Sequence, residues 1–102
     1  GPKWEKGSFH LVSGRMGAGQ GTVKLELFCD SHKAIATADF PVNPKANSSR
    51  MTMGQERDAI QHPGHESFDG EIARFLIWDR PLRDDELQAT MAKLRAYYFP
   101  KP

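Results

Sequence analysis

The nine residues "GEIARFLIW", Gly70 to Trp78, followed at once by Asp79-Arg80-Pro81, constrain this chain more than any other stretch. Apolar side chains fall on both alternations, Ile72, Leu76 and Trp78 on one and Ala73, Phe75 and Ile77 on the other. That pattern predicts a strand buried on both faces, which belongs in the middle of a layered structure. Pro81 has no N–H to give a sheet ladder, so the strand ends there. Beyond it the period changes. Leu87, Met91, Leu94 and Tyr98 fall at i, i+4, i+7 and i+11, one face of a helix. Asp84, Asp85 and Glu86 meet the positive end of the helix dipole, Lys93 and Arg95 lie near its negative end, and Pro100 stops it. A helix over 83–99 therefore follows the strand and folds back over sheet surface.

Upstream, the period is two. "SFHLVS" (Ser8–Ser13) predicts a short strand, and "TVKLELFC" (Thr22–Cys29) a second. The latter sets Val23, Leu25, Leu27 and Cys29 on one face and Lys24, Glu26 and Phe28 on the other. Asp30-Ser31-His32-Lys33 has turn composition, and "AIATADF" after it completes an antiparallel hairpin. "SRMTMG" (Ser49–Gly54) is a further short strand, giving five in all. Between the first two strands, "GRMGAGQG" (Gly14–Gly21) is rich in glycine but lacks the Lys-Ser/Thr ending of a phosphate-binding loop. It is a hairpin connection. "GQERDAIQHPGHES" (Gly54–Ser67) is a long polar connection of the kind that often carries function.

Composition narrows the function classes. Fourteen basic and thirteen acidic residues leave a net charge of +1, which is not the basic footprint of a nucleic-acid binder. No apolar run approaches the roughly 18 residues needed to cross a bilayer, so no membrane insertion is expected. Gly1-Pro2 reads as the remnant of a cleaved purification tag, leaving residues 3–82 for the strands and 83–99 for the helix of one domain. The single cysteine, Cys29, has no intramolecular partner for a disulfide and reads as a small buried hydrophobe.

With these residues in view, the chain resembles the laminin-G-like branch of the concanavalin-A-like jelly-roll superfamily. The specific match is the closing motif, Phe-x-Gly-x-Ile-x-x-Val-x-Ile-Tyr-x-Arg-x-Leu-Ser-x-x-Glu. Phe68, Gly70, Ile72, Phe75, Ile77, Trp78, Arg80, Leu82, Glu86 and Leu87 fall in its register. "SFHLVS", "GTVKLELFCDSHK" and "RMTMGQE" resemble earlier strands of the family, in order. The resemblance runs from about Trp4 to Phe99 and covers the later part of the family's domain. It implies an all-β antiparallel β-sandwich, a jelly roll with a C-terminal α-helix, with Phe68 and Trp78 at core positions. Arg83 stands where the family places a capping Ser or Thr, so Asp84 is expected to cap the helix one position later.

Candidate chemistry is sparse. In "HPGHE", His62 and His65 flank Pro63-Gly64, so no helix can present them together as a His-Glu-x-x-His pair does. They stand with Trp4 as candidate ligand-contacting residues. Calcium takes clustered oxygens, for which Asp30, Asp58, Glu66 and Asp69 are the candidates. The strands carry only Glu26 and Glu71, each an outward residue in this reading, and no pair of carboxylates faces across a cleft as a glycosidase requires. No Gly-x-Ser-x-Gly elbow occurs either, so no enzyme is expected. The resemblance then implies a non-catalytic binding or adhesion module of a larger secreted or cell-surface protein, bacterial in type and extracellular or periplasmic. Its ligand would be a glycan or a protein. The alternative is a structural module for self-association or for docking onto another domain of a parent chain.

Overall fold

The computed structural model describes residues 7–48, 51, 53 and 69–101. Two compact units divide the chain, one of residues 1–44 with 78–102 and the other of residues 45–77. The first holds every regular element described: β1 (Val12–Met16), β2 (Thr22–Cys29), β3 (Ala36–Pro41) and α1 (Asp84–Tyr98). The strands form one antiparallel sheet in the order β1-β2-β3. This corrects the expected β-sandwich: a three-stranded antiparallel sheet plus one C-terminal helix is a small α/β domain.

The difference lies in the described residues of two expected strands. Residues 70–78 form no strand, and Ile72, Phe75, Leu76, Ile77 and Trp78 are all exposed. A strand exists through its ladder partner, and an apolar run with no partner remains irregular however strongly its pattern favours burial. Of the stretch Ser49–Gly54, the two described residues, Met51 and Met53, are exposed and outside any strand. Among the described residues of the second unit there is no helix or strand.

The hairpin of β2 and β3 follows the period-two pattern, in a register pairing Val23 with Phe40 and Leu27 with Ala36. β1 is shifted from its expected place. It runs on through Gly14-Arg15-Met16, the first residues of the expected loop, because Arg15 lies opposite Glu26 and the two side chains bond. The connection is thus Gly17–Gly21, where Gly19 (φ 115°) and Gly21 (φ 76°) adopt backbone conformations closed to most other residues.

The core is reversed with respect to the pattern of β2. Phe28, only 1% exposed, is buried with Leu87 and Met91 of α1, and Leu11 and Leu82 pack around it. Phe28 shares its face with Lys24 and Glu26, so Glu26 is no outward residue but lies in the helix-side layer. The Ser13 hydroxyl, on the residue opposite Phe28, is buried without a hydrogen-bond partner among the described residues.

The start of α1 also departs from expectation. Its N-cap is Arg83, extended at φ −65°, ψ 161°, and not Asp84. Arginine cannot accept a bond, so Glu86 works in reverse: its Oε1 accepts from the Arg83 N–H at 3.0 Å, the second half of a capping box. Arg80 clamps the same carboxylate with two bonds, at 2.8 and 2.7 Å. The Arg80 guanidinium and the Arg83 N–H hold Glu86 down at about 2, against an ordinary 4.5. A lowered carboxyl pKa adds stability that is fully present above the ordinary value and is lost as pH falls through the folded one. The gap in melting temperature between wild type and Glu86→Gln should therefore be constant above pH 4.5 and close as pH falls to about 2. A gap independent of pH would contradict this account of the cap.

Candidate functional site

Antiparallel pairing of Val12 with Cys29 brings the residues entering β1 beside those leaving β2. His10 Nδ1 lies 2.7 Å from Asp30 Oδ2, and Cys29 Sγ lies 3.8 Å from the same oxygen. The three potential ligand atoms are all within 4.8 Å of one another. Asp30 is held firmly. Its N–H donates to Leu11 O at 2.8 Å, its Oδ1 accepts from the Leu11 N–H at 2.9 Å, and Arg95 of α1 donates to its carbonyl. Its φ of 52° is left-handed, a conformation that aspartate tolerates better than most residues. Burial works to raise the Asp30 carboxyl, yet the bonds from His10 and the Leu11 N–H outweigh it and hold the group below its ordinary value. Burial pushes the Cys29 thiol up, and the Asp30 charge pushes it the same way. Cys29, expected to be a small buried hydrophobe, is instead half-buried, and its sulfur belongs to a polar group of three.

A second cluster sits where α1 meets the sheet. Arg15 donates to both Glu26 oxygens, at 2.9 and 3.2 Å, and to Leu82 O at 2.9 Å, and its Nη2 lies 2.8 Å from Asp84 Oδ1. Its guanidinium also lies over the Phe28 ring, 5.4 Å from the centroid. The bonds to Glu26 raise the Arg15 pKa and lower that of Glu26, so both stay charged. An open groove of about 580 Å³ adjoins the cluster, with Lys24, His32 and Lys33 on its rim. The closest charges in it are paired, Arg15 with Glu26 and Asp84, and Lys24 with Glu26 at 3.8 Å. It therefore presents no concentrated field of either sign.

The third feature is the sheet face turned away from Phe28. The register places Val12, Gly14 and Met16 of β1, Val23, Leu25, Leu27 and Cys29 of β2, and Ala36, Ala38 and Phe40 of β3 on it. None of these ten positions is charged. Val23 is buried, whereas Val12, Met16, Leu25, Leu27 and Phe40 are exposed, Leu25 at 38% and Leu27 at 42%.

No family model, curated protein or solved structure matches the chain. What the molecule does must be read from these three features. Of the residues singled out from the sequence, Trp4, Asp58, His62, His65, Glu66 and Phe68 lie outside the described residues. Asp69 is exposed and belongs to the second unit. Phe28 is core, and Trp78, expected in the core, is exposed. Among the described residues, Asp30 is the predicted cation ligand that has further donors around it, and these are nitrogen and sulfur from His10 and Cys29. The sequence signal for them was the hairpin itself, but a glycine-rich loop leaves the register open, and the register decides which residues meet. Among the described residues no helix is long and apolar enough to cross a membrane.

Proposed function

We propose that this chain is a non-catalytic assembly module that self-associates through the uncharged face of its sheet. The observation that carries this reading is the ten-position face, half of it exposed large apolar side chains, on a sheet whose other face takes the helix. At the usual strand spacing and rise, three strands of five, eight and six residues present a face of roughly 300 Å². That is the size of the largest apolar patch of an ordinary monomer, which is often functional. The occupant proposed is a second copy, because an uncharged face meets its own image without desolvating a charge, and a net charge of +1 gives little mutual repulsion. Two such faces bury about 600 Å², short of the 1,200 Å² typical of stable complexes, so the dimer is weak, with Kd on the order of 100 μM.

Sedimentation equilibrium across about 5–500 μM chain should show a reversible monomer–dimer equilibrium in that range. Leu25→Lys with Leu27→Lys places a charge on each facing surface and should leave monomer throughout, with the helical circular dichroism intact. A wild-type chain still monomeric at the top of the range would overturn the proposal. So would association that grows without closing at two copies.

A further inference from the structure

We propose that His10, Cys29 and Asp30 form a binding site for a borderline divalent cation, Zn²⁺ above all. The three donors are imidazole nitrogen, thiolate sulfur and carboxylate oxygen, the set that zinc takes and that hard cations do not. Tetrahedral coordination at zinc's usual bond lengths sets donors about 3.3–3.8 Å apart. The present spacings bracket that range, with His10 Nδ1 and Asp30 Oδ2 at 2.7 Å and no pair of the three beyond 4.8 Å. Binding would open the first contact and draw in the sulfur. As the metal–sulfur bond forms, the thiol proton leaves to solvent, and His10, coordinating through Nδ1, carries its ring proton on Nε2. Water takes the fourth position.

The surroundings suit a metal. The Leu11 N–H on Asp30 Oδ1 and Arg95 on the Asp30 carbonyl keep the carboxylate in place, as outer-shell partners of metal ligands do. Asp30 stands at the open side of the group and Cys29 is half-buried, so an ion can enter from solvent. A bound ion would also tie the entry to β1 to the end of β2, a junction that α1 already reaches through Arg95. Calcium, which takes six to eight oxygens, finds one carboxylate here.

The test is a titration of the full, reduced chain with Co²⁺ and Zn²⁺. One Co²⁺ should bind per chain with a thiolate-to-metal charge-transfer band in the near ultraviolet, be displaced by equimolar Zn²⁺, and withstand a large excess of Ca²⁺. Cys29→Ser should remove the band, and both it and His10→Ala should weaken Zn²⁺ binding more than about 100-fold, beyond the loss of an outer-shell partner. Serine matches the shape of cysteine, so folding of that variant is checked by an unchanged helical signal, while the wild-type band reports the thiolate by itself. The double variant H62A/H65A should bind as wild type does. Cobalt bound without the band, Zn²⁺ binding unchanged in Cys29→Ser, loss of binding in H62A/H65A, or no binding by the wild type would each overturn the site.

Discussion

Phe28→Ala should cost about 3–5 kcal/mol in urea denaturation, the range for emptying a buried aromatic position. Phe28 is 1% exposed and is the largest fully buried side chain described. It touches both ends of the architecture, as a β2 residue packed with Leu87 and Met91 of α1 and flanked by Leu11 and Leu82. Its removal also takes away the ring beneath the Arg15 guanidinium. A chain of this length has about 5–15 kcal/mol of stability in all. With only Val23, Phe28, Leu87 and Met91 buried among its described apolar residues, it belongs at the low end. Phe28→Ala is then expected to move the urea midpoint down to low denaturant, whereas Phe28→Leu, which keeps most of the volume, should cost about 1–2 kcal/mol and keep the midpoint well above it. Equal, small losses for both would mean that the helix is not held on the sheet through this ring.

The second large effect is at Arg15. Its side chain is 16% exposed and that of Glu26 14%, so the pair is largely out of water. Removing one member of such a pair leaves the other charge uncompensated, and Arg15→Ala should cost about 3 kcal/mol, at the low end for a buried pair because both groups keep some contact with solvent. The Asp84 bond adds little, since that carboxylate is almost fully exposed. The informative comparison is the double variant Arg15→Met with Glu26→Leu. It removes both charges and both desolvation costs, so its stability should lie within about 1 kcal/mol of wild type. If the double variant were as unstable as Arg15→Ala, the bond to Leu82 O and the contact with Phe28 would be the stabilising elements, and not the ion pair.

Elements that depend on neighbours in sequence were legible. The helix follows from the 3.6-residue spacing of Leu87, Met91, Leu94 and Tyr98, an acidic first turn and Pro100, and the first two of these are its buried residues. β2 begins at Thr22 and ends at Cys29 as its alternation indicates, and the turn composition after it pairs it with β3. The candidate site was half legible. Asp30 stood out as an oxygen donor in a turn, but His10 lies 20 residues away and meets it only through the register of β1.

Alternation along β2 determined which residues share a face, but not which face is covered. The apolar side of Leu25 and Leu27 is exposed, and the side carrying Lys24 and Glu26 takes the helix, because Phe28 fills the space beside Leu87 and Met91 while Arg15 neutralises Glu26. Likewise, the apolar pattern of residues 70–78 determined a preference for burial, and only a partner strand could have turned that preference into sheet. Periodicity is a property of the chain alone. Coverage and pairing belong to whatever lies opposite, and that is settled by contacts between residues far apart in sequence.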